Sequence, residues 1–190
     1  GGTNTLATVL FSDIRNFTTI SESLGAEETV KLLNEYFTLM VDCIQNEGGM
    51  LDKFIGDAIM AVFGNPFPHD DDPDRALRAA LSMMSSLDEF NQRRIERGLP
   101  IIDHSLGINT DKIVAGNIGS SKRMDFTVIG DGVNLASRIE GLCKHYGAHI
   151  LISEFTYERL KATYRTRHID KVIVKGKNKA VSVYEVIDYY

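Results

Sequence analysis

The sequence predicts an α+β sandwich, and three observations indicate it. Short apolar runs typical of strands alternate with longer segments whose apolar residues follow helical spacing. Their order is strand, helix, hairpin, helix, strand, strand, helix, strand, with a short helix and two strands after it. The chain has 190 residues, 43% of them hydrophobic and 25% charged, which suits one ordinary core. We therefore predict a ferredoxin-like βαββαβ core with C-terminal additions, in one domain over residues 1–190.

The N-terminal half supplies a strand, a helix and a hairpin. Residues 6–11 are almost wholly apolar, which predicts a central strand covered on both faces. Runs 50–55 and 58–63 meet at Gly56-Asp57, which is typical of a tight hairpin. The helix before them ends at Gly48-Gly49, and its predicted buried stripe is Val30, Leu33, Phe37, Met40 and Ile44.

The C-terminal half supplies the remaining elements. A Gly-rich stretch, residues 115–123, has a composition that suits a bend close to an anion. The other predicted elements are a helix over 73–97, strands over 105–109 and 124–129, a helix over 133–146, a strand over 149–153, a short helix over 154–162, and strands over 172–174 and 181–187.

Composition excludes some functions. The net charge of −5 argues against a general nucleic-acid binder and gives no reason to expect an anionic membrane as partner. Cys43 and Cys143 are predicted to be reduced core residues. No apolar run approaches the roughly 20 residues of a membrane span. We expect a cytoplasmic domain, excised from a longer regulated protein that is either soluble or membrane-anchored.

An acidic run over residues 69–74 looks like a metal loop but is better interpreted as a helix start. Asp72 followed by Pro73 fits a helix N-cap and first position, and acidic residues there suit the helix dipole. A calcium loop would need a Gly and a terminal Glu at set spacing, which do not follow. Surface or partly buried positions without metal-ligand spacing are predicted for His104, His145, His149 and His168.

Two aspartates predict a cation site. Asp13 and Asp57 each lie in an apolar, strand-like run, where a carboxylate is costly unless it is paired or liganded. Mg²⁺ or Mn²⁺ would suit such ligands. Asp13 precedes a predicted helix start whose free backbone N–H groups can receive phosphate oxygens, so we assign Ile14 and Phe17 to substrate binding and Ile14 also to the metal site. Taken singly, the aspartates would be a helix N-cap and a turn residue.

Two further pairs predict nucleotide recognition. Lys53 could donate to a ring nitrogen of a nucleobase while the Thr127 hydroxyl helps to read the exocyclic group, although an exposed surface lysine is the usual explanation. Asn134 and Arg138 lie four residues apart beside the apolar stripe of their helix. They could orient a ribose and meet charge on a phosphoryl group, or form an ordinary exposed polar pair.

From Val9 to Val186 these motifs resemble, in order, the catalytic domains of class III nucleotidyl cyclases, which make cyclic AMP or cyclic GMP. The resemblance implies that Asp13 and Asp57 bind two Mg²⁺ or Mn²⁺ ions, and that Lys53 and Thr127 recognise the base and favour adenine. Thr127 departs from the commoner Asp and is similar to a bacterial subgroup that includes bicarbonate-responsive enzymes, so bicarbonate is an expected effector. The remaining implied roles are ribose orientation for Asn134, transition-state stabilisation for Arg138, and triphosphate contacts for Lys175 and for Lys122 or Arg123.

The resemblance implies an adenylate cyclase that converts ATP to cyclic AMP and pyrophosphate. In the family, metal ligands come from one subunit and base, ribose and transition-state residues from the other. Since this chain matches both sets, we predict a homodimer with two equivalent sites. The alternatives are a guanylate cyclase and a catalytically silent nucleotide-binding or dimerisation module. A diguanylate cyclase is disfavoured because the hairpin lacks that family's Gly-Gly-Asp/Glu-Glu-Phe motif.

Overall fold

The computed structural model describes residues 2–174 and 178–189. It confirms the predicted α+β fold, and the described residues form five helices and eight strands. In chain order the elements are β1 (Thr3–Ile14), α1 (Phe17–Leu24), α2 (Ala26–Asn46), β2 (Met50–Ile55), β3 (Ala58–Phe63), α3 (Asp72–Glu96), β4 (His104–Ser120), β5 (Arg123–Ile129), α4 (Asp131–Tyr146), β6 (Ile150–Ser153), α5 (Glu154–Tyr157), β7 (Tyr164–Ile173) and β8 (Ala180–Tyr189).

One twisted sheet organises the domain. Its strand order is β2-β3-β1-β4-β6-β8-β7, with β5 paired to β4 beyond this path. The four strands β2-β3-β1-β4 are antiparallel neighbours and form the predicted ferredoxin-like half, whereas β4 and β6 are parallel. None of the described helices is long and apolar enough to cross a membrane.

The two faces of the sheet carry different helices. On one face α2 and α3 bury the side chain of Leu10, and on the other α4 covers Val9 and Phe11. This alternation is the two-residue period of a strand, and it continues to the end of β1. Ile14 packs with the α2 and α3 core, so the preceding residue, Asp13, lies on the α4 face.

Close packing of α4 against β4 depends on Gly107. A side chain at that position would collide with the backbone of Glu140 on α4. The absence of a β-carbon therefore lets the helix lie directly on the strand, and it brings Glu140 to the height at which β1 ends. Cys43 and Cys143 are free and buried, as predicted.

Several boundaries differ from the prediction. The Gly-rich stretch is not a bend, because β4 continues to Ser120 and residues 114–120 pair with β5 throughout. In α2 the buried residues include Leu32 and Tyr36, while Val30 is 56% exposed. Leu33 and Phe37 sit at the edge of the core, where Phe37 stacks on Phe54 of the hairpin.

Side-chain hydrogen bonds explain two other differences. The helix predicted over residues 154–162 ends at Tyr157. The buried Asp74 carboxylate accepts the backbone N–H groups of Lys161 and Ala162, at 2.9 and 3.0 Å, and so holds that segment out of a helix. Helix α3 has Asp71, not Asp72, at its N-cap, because the Asp71 carbonyl accepts the Arg75 backbone N–H at 2.9 Å, while the Asp72 carboxylate accepts the His69 backbone N–H at 2.7 Å.

The prediction for His104 was also wrong. This side chain is fully buried, and its Nδ1 shares a 2.6 Å hydrogen bond with the hydroxyl of Tyr36 in α2. Burial lowers the pKa of His104 to about 3, so the ring is neutral at physiological pH. The contact ties α2 to the start of β4.

Candidate active site

The two predicted metal aspartates meet at the end of β1. Pairing of β1 with β3 carries the β2-β3 turn, which contains Asp57, to this point. The Ile14 backbone N–H donates to Asp57 Oδ2 at 2.9 Å, so Asp57 is held beside the residue that follows Asp13. This amide is therefore not free to receive a phosphate oxygen, and a cation could contact the Ile14 backbone only through its carbonyl oxygen.

A third acid, Glu140 of α4, joins this pair. Its carboxyl shares a hydrogen bond with the carboxyl of Asp13. Burial, that hydrogen bond and the negative charges of Asp13 and Asp57 raise the pKa of Glu140 to about 8. Burial also raises the pKa of Asp13; the hydrogen bond to Glu140 opposes this rise and the charge of Asp57 adds to it. Burial is therefore the main cause of both raised pKa values, and the negative charge of Asp57 adds to it.

The donor set of this acidic cluster fits a hard divalent cation. Carboxylate and backbone carbonyl oxygens are the ligands that Mg²⁺ and Mn²⁺ prefer. A bound cation would reduce the repulsion between these carboxylates. When no cation is bound, protonation of Glu140 reduces it instead. Within residues 2–174 and 178–189, no three His, Cys, Asp or Glu side chains are already arranged as a metal site. Asp13 and Asp57 would thus need further oxygen ligands, which nucleotide phosphates can supply.

Asn134 and Arg138 lie on the other flank of α4. Both side chains are exposed, as their spacing predicted, and they line a groove of about 330 Å³ together with Asp131, Leu135 and Val174. Lys175 follows Val174 in the chain but lies outside the described residues. The groove is open, and Asp131, Asn134 and Arg138 give it polar groups, so a ribose or phosphate could enter it.

The helix α4 separates the two sets of predicted site residues. Its Val133 and Ala136 pack towards β1 and β3, the side of the acidic cluster, whereas its Leu135 and Ile139 pack towards β6, β7 and β8. A larger cavity, of about 530 Å³, lies near the segment before α3, and none of the predicted site residues lines it. One chain therefore carries the two sets of predicted site residues on different flanks of α4.

The predicted base-reading residues come from β2 and β5. Lys53 is exposed, whereas Thr127 is only 4% exposed, and its hydroxyl donates to Asp52 Oδ2 at 2.7 Å. The contact spans 75 positions of the chain. Thr127 therefore contacts the residue directly before Lys53, which brings the two predicted readers into one neighbourhood.

Sequence reasoning assigned no role to Asp52 or Glu140. Each had a weak signal in the sequence, because each is an acid next to, or two positions from, a predicted site residue. Helical geometry puts residues two apart on different sides of α4, so Glu140 does not share the Arg138 groove. The partner of Asp52 comes from a distant strand and could not be read from local spacing.

The remaining predicted phosphate contacts lie at the periphery. Lys122 and Arg123 are exposed at the β4-β5 turn, where the Arg123 guanidinium is 3.9 Å from the Asp125 carboxylate. Phe17 begins α1, and no side chain caps this helix start. Its N–H groups thus remain able to meet an anion.

Comparison with known proteins identifies the family. The model of the adenylate and guanylate cyclase catalytic domain matches residues 3–187. The chain belongs to this family. An adenylate cyclase from Anabaena cylindrica is 46% identical over 94% of this chain and 36% of its own length. A terminal-differentiation-specific adenylate cyclase from Dictyostelium discoideum is 42% identical over 95% of this chain and 8% of its own length. The domain thus spans well under half the length of these relatives.

Solved cyclase structures share the fold over the whole domain. The adenylyl cyclase CyaB from P. aeruginosa superposes with a TM-score of 0.92 at 36% identity, covering 100% of this chain and 97% of the other. The guanylyl cyclase Cya2 superposes with a TM-score of 0.91 at 39% identity, covering 100% and 95%. Both nucleotide preferences occur among these two structures, whereas the two relatives named above are adenylate cyclases.

Proposed function

We propose that this cyclase domain is an adenylate cyclase that converts ATP to 3′,5′-cyclic AMP and pyrophosphate. The observation that carries this proposal is the base-reading neighbourhood of Lys53 and Thr127. A lysine ammonium only donates, which suits the unprotonated ring nitrogen N1 of adenine and opposes the N1–H of guanine. The hydroxyl of Thr127 already donates its proton to Asp52, which leaves an acceptor for the exocyclic amine of adenine.

The acidic cluster supports a metal-assisted reaction. Asp13 and Asp57, with the carbonyl of Ile14, would hold two Mg²⁺ or Mn²⁺ ions. When bound, such ions lower the pKa of the ribose 3′-hydroxyl and neutralise charge on the leaving pyrophosphate. In the overall reaction the 3′-oxygen bonds to the α-phosphorus, the bond from that phosphorus to the bridging oxygen breaks, and the hydroxyl proton is released.

The other side chains position the substrate. Asn134 would hydrogen-bond the ribose so that its 3′-hydroxyl lies in line with the leaving oxygen. Arg138, exposed in the groove of α4, would donate to the phosphoryl oxygens as negative charge grows on them. The triphosphate would be contacted by Lys175, by the backbone of Phe17, and by either Lys122 or Arg123.

We propose that the active unit is a homodimer with two shared sites. The acidic cluster and the Asn134-Arg138 groove lie on opposite flanks of α4 in one chain, so a second copy is needed to complete each site. The surface near these residues suits such a copy, because several apolar side chains on β2, β4 and β5 are 42–53% exposed. They are Phe54, Ile55, Ile118, Met124, Phe126 and Ile129.

Product identification tests the proposed activity. The purified domain is incubated with ATP or GTP plus Mg²⁺ or Mn²⁺, and we expect cyclic AMP and pyrophosphate, lost in Asp57→Asn and kept in Asp88→Asn. Asp88 is an exposed acid of α3, so it provides a matched control. Cyclic GMP as the main product would instead indicate a guanylate cyclase.

Two further outcomes bear on the same proposal. ATP binding without any cyclic product would indicate a silent module. Bicarbonate is the proposed effector, and its addition at constant pH should raise the rate of cyclic AMP formation; an unchanged rate would remove it from the proposal.

A further inference from the structure

The contact between Asp52 and Thr127 has two unusual features. Asp52 is the extra residue of a β-bulge, because β2 pairs with β3 through Leu51 and then Lys53. A bulge changes the direction in which side chains point, and here it directs Asp52 to β5. One carboxylate oxygen, Oδ2, accepts the Thr127 hydroxyl at 2.7 Å, with the Val128 N–H at 3.5 Å. The other oxygen, Oδ1, is buried and has no hydrogen-bond partner among the described residues.

Proton counting fixes what Thr127 can recognise. A hydroxyl has one proton and two lone pairs, and an ionised carboxylate only accepts. Because the Thr127 proton goes to Asp52, the hydroxyl oxygen can only accept from a ligand. Without that constraint a threonine could rotate and serve the exocyclic amine of adenine or the exocyclic oxygen of guanine equally well.

We infer that Asp52 is a specificity-determining residue that holds the Thr127 hydroxyl as an acceptor and thereby selects 6-amino over 6-oxo purine nucleotides. This inference rests on the proposed function and deepens it. Asp52 acts through Thr127 and is therefore a positioning residue.

A purely structural role would be to tie β2 to β5. Such a tie needs only one hydrogen bond. It does not explain why the residue is a carboxylate whose second oxygen has no partner, since a buried acceptor without a partner is costly. An Asn or Ser could make the tie at lower cost. The position directly before Lys53 also places the charge beside the other predicted base reader.

Asp52→Asn tests the inference sharply. The side-chain amide of the variant can donate to the Thr127 oxygen, which frees the threonine proton to donate to a 6-oxo group. We expect kcat/KM for ATP relative to inosine triphosphate, which has a 6-oxo group, to fall by about tenfold or more. With purine riboside triphosphate, which lacks a 6-substituent, kcat/KM should change by less than about threefold.

A double-mutant cycle separates selection from folding. Thr127→Val should by itself reduce the ratio of ATP to inosine triphosphate, and Asp52→Asn added to it should change this ratio no further. Asp88→Asn is the control for loss of one negative charge and should leave all three substrates unchanged. Equal losses on all three substrates in Asp52→Asn, or an unchanged ratio, would overturn the inference.

Binding measurements keep this result distinct from the proposed activity. Calorimetric titration with 3′-deoxy-ATP and 3′-deoxy-inosine triphosphate, which cannot cyclise, should show the same shift of preference in Asp52→Asn. An inactive wild-type domain that shows this shift would refute the proposed function and retain the role of Asp52. An adenylate cyclase without the shift would refute the role of Asp52 alone.

Discussion

Two inactive variants of this domain should restore activity when they form a dimer together. Asp57→Ala removes a side chain of the acidic cluster, and Arg138→Ala removes one from the groove on the other flank of α4. Each homodimer then carries the same defect in both of its sites. In a mixed dimer, one site combines both defects, whereas the other combines the intact acidic cluster of one chain with the intact groove of its partner.

The expected magnitude follows from this arrangement. If the two variants associate at random, half of the dimers are mixed and each mixed dimer has one intact site of two. The recovered rate should therefore be about one quarter of the wild-type rate at equal total chain concentration. The rate of cyclic AMP formation by each variant alone should be about a hundredfold or more below the wild-type rate.

Differently tagged chains, co-expressed and purified in tandem, isolate the mixed dimer for the assay. The pure mixed dimer should then show about one half of the wild-type rate. A mixture of Asp57→Ala with Asp13→Ala is the matched control, because both variants damage the same cluster and no intact site can form. A pure mixed dimer of Asp57→Ala and Arg138→Ala without activity would refute the shared site, as would full activity in a wild-type monomer.

Three other predictions concern single residues. Arg138→Ala should lower kcat about a hundredfold with KM for ATP within a few-fold and an unchanged melting temperature, because the side chain is exposed and acts on developing charge; a large rise in KM alone would contradict this. Burial lowers the pKa of His104 from 6.5 to about 3, so below pH 6.5 the unfolded state binds a proton that the folded state does not, and stability falls. Urea unfolding should therefore show a loss of up to about 2 kcal/mol in unfolding free energy between pH 7 and pH 5. The variant His104→Asn should not show this loss. The pKa of Glu140 is raised from 4.5 to about 8, so its contribution to stability is complete below 4.5 and is lost as the pH rises through 8. Without divalent ions, the unfolding free energy of Glu140→Gln relative to wild type should increase across that window by about 1–2 kcal/mol, allowing for solvent screening; a difference independent of pH would contradict the shared proton.

Local sequence patterns predicted the elements that depend on local chemistry. The hairpin strands have the bounds that were predicted, because apolar runs and Gly56-Asp57 specify them without help from distant residues. The exposed pair on α4 followed from helical spacing in the same way. The C-terminal part of β4, residues 114–120, was not predicted as a strand because its glycines indicate a bend locally. Seven residue pairs with β5 keep this segment extended.

Contacts between distant segments limited the rest. Helix α5 ends early because Asp74, more than eighty positions away, accepts two of the amides that a longer helix would have used. The Asp52-Thr127 contact likewise depends on a bulge and on how β5 lies over the sheet. Glu140 reaches Asp13 only because Gly107 admits α4 so closely. None of these long-range contacts produces a repeating hydrophobic or polar pattern that could be recognised in the sequence.

The position of α4 has a consequence for how two sites in one dimer would behave. A single rigid helix bears Glu140, in contact with the acidic cluster of its own chain, and Arg138, which would face the nucleotide held by the partner. In such a dimer, a small rotation or slide of α4 displaces both residues together. Occupancy of one site and alignment of substrate in the other would then be linked by a coupling free energy, and by reciprocity each would bias the other equally.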